Sequence, residues 1–88
     1  MRGFMTTVPV SLDHLMPQHF GLVLRVEASD EDAERLMALG VCTGRTVQLI
    51  KSGDPLILKV FESRIGVSAR LAARVMVRPV AEKPIASD

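Results

Sequence analysis

The stretch Arg35–Val60, RLMALGVCTGRTVQLIKSGDPLILKV, decides the fold. It reads as the end of a short helix, a glycine stop, a tight turn, a strand, a second turn and another strand. Leu36 and Leu39 stand three apart, one helical turn. Gly40 follows where a helix needs a residue that accepts a left-handed backbone. Thr43-Gly44 turns the chain into Thr46–Ile50. Gly53-Asp54-Pro55 turns it again into Leu56–Val60, as glycine and proline do between strands.

Upstream, Phe20 to Ala28 alternates with the period of a half-buried strand. Phe20, Leu22, Leu24, Val26 and Ala28 are expected to face inward. Ser29 then caps a helix of about residues 30–39. Asp32, three residues on, makes a weak capping box, and Asp30, Glu31 and Asp32 put negative charge at the positive end of the helix dipole. Ala33, Leu36 and Met37 continue at helical spacing. Further upstream, residues 11–15 (Ser-Leu-Asp-His-Leu) predict one helical turn, capped by Ser11 and ended by Pro17. A first edge strand is expected after Met5, limited by Pro9. Downstream, strands are expected at 45–51, 56–62 and 64–67, then a helical turn at 69–73 and a last strand at 74–78. Residues 1–80 form one domain in this reading. Residues 81–88 lose the apolar period and are expected to be a disordered tail. Five or six short strands with one inserted helix predict a mostly β fold, a small barrel closed to remove exposed edges.

What the composition lacks narrows the function. There is no Trp or Tyr and there are only three Phe, so the core is expected to be aliphatic, built from Leu, Val, Ile, Ala and Met. A base-stacking platform or a proline-ligand groove needs exposed aromatic rings. The single cysteine, Cys42, cannot form an internal disulfide and does not imply an oxidising compartment. No apolar run reaches signal-peptide or membrane-span length. A chain of 88 residues hides only about 60% of its unfolded surface and has little room for a deep pocket. Charge is segregated. Residues 1–43 carry three bases against six acids, and residues 44–78 carry seven bases against two acids. Such polarity can orient a domain on an acidic partner or an anionic surface.

The chemical motifs are mostly negative. Lys51-Ser52 resembles the end of a phosphate-binding loop, but the preceding glycine spacing is absent. Asp13, His14 and His19 carry donor types that suit iron or zinc. Pro17 separates the two histidines, so helical geometry does not align them, and they are carried only as a candidate metal set. Cys42 and the methionines, Met16 and Met37 among them, read as core packing. No nucleophile–base pair or paired carboxylates stand out. The chain reads as non-catalytic, with no cofactor.

The order of signals, RL-x-x-LG, a TG turn, a strand and a GDP turn, resembles the FeoA family, the small cytoplasmic partner of bacterial ferrous-iron transporters. Ile65-Gly66-Val67, Arg70-Leu71-Ala72 and Val75-Met76-Val77 match the family's last strands and short helix in spacing. The resemblance covers roughly residues 11 to 78. Gln18 stands where the family usually has a turn glycine, Cys42 where proline is common and Ser68 where arginine is usual. The resemblance implies an SH3-like barrel and an accessory or regulatory role. The chain would dock on the cytoplasmic part of the GTP-binding iron permease FeoB, in the cytoplasm or at the inner membrane face, without carrying iron. Self-association stays open.

Two strands offer a surface for such a partner. With Leu56, Leu58 and Val60 inward, Ile57, Lys59 and Phe61 face out. With Val75 and Val77 inward, Met76 faces out between Arg74 and Arg78. Were these strands neighbours, they would present an apolar patch with a basic rim. The alternative is that the N-terminal stretch or the helix covers them. A second functional reading, a nucleic-acid-associated small barrel or stand-alone regulator domain, would use the basic half as a phosphate surface. The modest charge and missing aromatics argue against it, and steep loss of binding with salt would reveal it.

Overall fold

Among the described residues, six antiparallel strands form one sheet in the order β1-β6-β2-β3-β4-β5. The strands are β1 (Val10–Ser11), β2 (Phe20–Val26), β3 (Thr46–Lys51), β4 (Leu56–Val60), β5 (Ser63–Val67) and β6 (Val75–Val80). A 3-10 turn, Leu12–His14, follows β1. Helix α1, Asp30–Ala38, connects β2 to β3, and helix α2, Ala69–Ala72, connects β5 to β6. This computed structural model describes residues 8–80. The expected tail at 81–88 and the start of the strand expected after Met5 lie outside those residues.

The expected elements form close to their predicted limits because their local signals are self-sufficient. The Ser29 hydroxyl accepts from Asp32 N at 3.3 Å and starts α1. Gly40, at φ +96, ends it. Gly40 N donates to Met37 O and Val41 N to Leu36 O, both at 2.9 Å. This pair of bonds is the Schellman closure, which satisfies carbonyls a helix end leaves open. Leu36 and Val41, at its two ends, are both buried in the core. Ser68 caps α2 by accepting from Leu71 N at 3.2 Å. Asp54, in the β3–β4 turn, accepts from Ala69 N at 3.0 Å and ties that turn to the same helix start.

The core is a single cluster that draws on every strand except β1, with Val10 packed at its margin. Its buried members are leucines and valines with one alanine, and among the described residues no polar side chain is buried. The aliphatic expectation holds, but among the described residues methionine is not part of the buried set. Met16 and Met37 are each 62% exposed, against the expectation of core packing. On a helix of nine residues only a narrow stripe reaches the sheet. Leu36 occupies it, and Met37 is one residue, about 100°, further round.

The second correction concerns β2. Gly21 and Val23 are buried, while Phe20, Leu22 and Leu24 are half-buried on the other face. The inward face is therefore the odd one over most of the strand. Both faces of this segment are apolar, so periodicity alone could not choose between them. Packing chooses. A Cβ on Gly21 would lie 3.0 Å from Val77 Cγ2 and 3.2 Å from Leu15 Cδ2, so side chains from β6 and the 3-10 turn already fill that space. A bulge then intervenes: Val23 pairs with Val77 but Arg25 with Met76, leaving Leu24 as the extra residue. An extra residue shifts the alternation by one, and Val26 turns back toward the core as expected.

Candidate functional site

The end of α1 and the β4–β5 turn meet at Gly40. A Cβ there would stand 2.9 Å from Val60 Cγ1, so only glycine lets the two segments approach this closely. Arg45, at the start of β3, seals the junction. Its Nη1 donates to Gly40 O at 3.3 Å, and its guanidinium lies 4.0 Å from the centroid of the Phe61 ring. Phe61 itself is 69% exposed and has φ +58.

That backbone angle is the unusual feature. Phe61 and Glu62 form a two-residue loop between the paired Val60 and Ser63. A positive φ at the first loop position is normally taken by glycine, asparagine or aspartate. For a bulky residue it is an outlier that the surroundings must enforce. Here a large apolar side chain is held by a strained backbone, with a cation on one face of its ring and solvent on much of the rest. Met37 and Leu39, the latter 38% exposed, are also large exposed hydrophobics, and they belong to the other segment of the same junction.

The expected partner surface divides. Ile57 and Lys59 are half-buried on the outer face of β4, next to Phe61 in sequence. Arg74 and Arg78 are exposed and Met76 is half-buried, along β6. Strands β2 and β3 lie between β4 and β6, so the two sets are not neighbours and do not form one patch. Strand order is a long-range property, and alternation within each strand carried no information about it. Sequence reasoning missed Arg45 and Leu39. No local signal marks Arg45 as a partner of Phe61, since they are brought together by the β3–β4 hairpin.

The candidate metal residues are only partly assembled. Asp13 Oδ1 and His14 Nδ1 are 3.6 Å apart, and the Ser11 hydroxyl bonds to both side chains. Ser11 therefore engages its neighbours and does not bond back to cap the 3-10 turn. His19 sits in the following turn, its N–H bonded to Met16 O. Among the described residues no three His, Cys, Asp or Glu side chains gather as a metal site. Lys51 ends a strand and leads through a turn into another strand. A phosphate loop needs a helix start at that point. Cys42 is half-buried, with Sγ 4.0 Å from Gly40 O.

The FeoA domain model matches residues 10–79, nearly all of the described fold. The chain belongs to the FeoA domain family. A crystal structure of an iron uptake regulatory protein (FeoA) is 29% identical, with a TM-score of 0.79 over 83% of this chain and 100% of that one. FeoA from Stenotrophomonas maltophilia, described as a prokaryotic SH3 domain protein and crystallised with zinc, is 32% identical. Its TM-score is 0.67 over 75% of this chain and 86% of that one. Thus the expected mostly β, SH3-like fold is the family's own. A manganese-dependent transcriptional repressor shares the fold at 11% identity and a TM-score of 0.77, and the match spans 44% of that chain. No curated protein matches the chain. FeoA domains are accessory domains associated with ferrous-iron transport.

Within this FeoA domain the departure at Gln18 has a visible consequence. Gln18 keeps the positive φ of a turn glycine, +73. Its N–H donates to Leu49 O at 2.6 Å and its side-chain amide to Ile50 O at 3.1 Å. Its own carbonyl accepts from Gln48 Nε2 at 3.0 Å. Bonds to β3 hold the turn in place of glycine's conformational freedom. None of the described helices is long and apolar enough to cross a membrane.

Proposed function

We propose that the chain is a non-catalytic accessory subunit of a ferrous-iron uptake system, acting in the cytoplasm by docking on the cytoplasmic part of the GTP-binding permease FeoB. Family membership supports the system, and Phe61 supports the docking. An exposed aromatic ring on a strained backbone lowers the stability of the isolated domain. Strain of that kind clusters where a surface has work to do, and aromatic anchors carry much of the energy of protein interfaces. The docking surface is the Gly40 junction: Phe61, Leu39 and Met37 with Arg45, extended along β4 by Ile57 and Lys59. Arg74, Met76 and Arg78 form a separate, secondary contact in this proposal. Binding there biases a conformational equilibrium of the larger partner and requires neither iron nor a cofactor on this chain.

The test is capture of the permease's cytoplasmic region by the wild-type chain and by Phe61→Ser and Phe61→Gly. Both variants are expected to bind at least about tenfold more weakly, with Phe61→Gly melting close to the wild type. Undiminished capture by both would remove Phe61 from the interface. The nucleic-acid reading gains nothing from the likeness to a transcriptional repressor, which at 11% identity is one of fold alone.

A further inference from the structure

Among the described residues, β5 is the last strand of the sheet and pairs on one side only, with β4. Among the described residues, no backbone group of Ser63–Val67 bonds beyond that pairing. Such an edge offers a row of N–H and C=O groups to an extended chain. The side chains beside it indicate what kind of chain. Lys59 and Arg64 stand directly opposite each other across β4 and β5. They lie on the face away from the core, since Leu58 and Val60 are buried on the other. Like charges in that register are destabilising.

Neither base has a counter-charge among the described residues, where of the lysines and arginines only Arg25, with Glu27, and Arg70, with Asp32, are paired. On β3 the position opposite Lys59 is the neutral Gln48, whose amide is bonded to Gln18 O. Glu62, the only acid between Leu56 and Val67, lies in the turn and not in the row. One exposed base would be enough to stop two such edges from pairing with each other. Two opposed bases do more than that and repel each other until something negative arrives.

We propose that the β4–β5 edge binds an extended acidic segment of a partner protein, which adds as a strand beside β5 and sets its carboxylates near Lys59 and Arg64. The free backbone edge distinguishes this ligand from other anions. A nucleic acid or an anionic membrane answers the two charges but has no row of amides to pair with β5. The inference rests on the docking reading only for the partner's identity, because the edge and the unpaired bases stand without it.

The direct test follows the backbone amides of the full chain by NMR during titration with an acetylated peptide of alternating glutamate and valine, about seven residues long to match a typical strand. Saturable shifts are expected at Ser63–Val67 and around Lys59. They should be lost in the double variant Lys59→Glu/Arg64→Glu and absent with the lysine–valine counterpart of the peptide. If the reversal variant does not fold, Lys59→Gln/Arg64→Gln takes its place and should weaken binding by about tenfold. No saturable shift, or shifts away from β5, would sink the proposal. So would an equal response to short single-stranded DNA or to phosphatidylglycerol vesicles, which would make the surface a general anion site. Permease capture separates the two readings. Peptide binding at β5 with no capture by the wild type leaves this inference standing and removes the docking reading. Capture by the wild type that is weakened in Phe61→Ser, with no peptide binding, does the reverse.

Discussion

Phe61 and Gly40 both engage Arg45 at one junction and have opposite relations to their backbones. Gly40 occupies a left-handed conformation that suits it, and Phe61 occupies one that does not. Gly40→Ala is expected to lose at least about 1–2 kcal/mol from the left-handed backbone, since its Cβ must also displace Val60, and Gly40→Val more still, because its branched side chain needs further room. Urea denaturation checks both, and an unchanged midpoint for Gly40→Val would mean that the junction tolerates a side chain. At Phe61 the balance differs. Glycine would relieve strain of about 1 kcal/mol or more and forfeit a cation–π contact of about 0.5–1 kcal/mol. Phe61→Gly should therefore melt near the wild type and no lower than Phe61→Ser, which keeps the strain and loses the contact. A fall for Phe61→Gly of more than about 8 °C, the upper end of what 1 kcal/mol produces in so small a domain, would show that the ring packs as core. Extending the alternation of β4 to residue 62 places Phe61 outward in the sequence, but the strand ends at Val60 and the loop sets the direction of Phe61. Its positive φ was not legible, because it follows from the pairing of Val60 with Ser63 on either side of a two-residue loop.

Among the elements, α2 is the least self-sufficient. It has four residues, far too few to be stable alone. Its start is fixed by two acceptors from different places, the Ser68 hydroxyl and the Asp54 carboxylate. Asp54→Ala and Ser68→Ala are each expected to cost about 1 kcal/mol, the usual value of a helix cap. Arg70→Ala should cost less than about 0.5 kcal/mol, because its pair with Asp32 is exposed and 3.4 Å long. Denaturant midpoints of the three variants give the order, and a larger loss for Arg70→Ala than for Asp54→Ala would contradict it. The sequence offered Gly53-Asp54-Pro55 as a turn and nothing more. Only the fold places that turn beneath α2, so the capping role of Asp54 could not be read locally. The bulge at Leu24 is similar: it depends on where β6 lies beside β2.

For the molecule as a whole, the buried cluster is aliphatic and draws on all the strands but β1. A core of that kind is held by apolar burial. The melting temperature of the full chain should accordingly be unchanged by a strong chelator within about 1 °C, well under the shift that 1 kcal/mol would cause. A large fall measured by calorimetry would reveal a structural metal, since metal binding energy is then folding energy. The charge segregation seen in the sequence also takes on a shape at this scale. The acidic residues at the start of α1 are partly engaged, Asp32 with Arg70, while Lys59 and Arg64 on the sheet are left without partners among the described residues.

The sequence by itself determined the elements and their order. Helix stops, turn glycines and strand alternation are local effects, read over a few residues, and together they were enough to reach the family and the barrel. It also determined which face of β4 and of β6 is buried, since in each of those strands only one choice puts aliphatic residues inside. The tertiary structure decided everything that depends on which strand lies beside which. It separated β4 from β6 and so divided the expected patch, turned Gly21 and Val23 inward in a strand apolar on both faces, and left β5 at the edge of the sheet among the described residues. It also brought Arg45 to Phe61. These are contacts between residues distant in the chain, and neighbours in space leave no mark on the local period of a sequence.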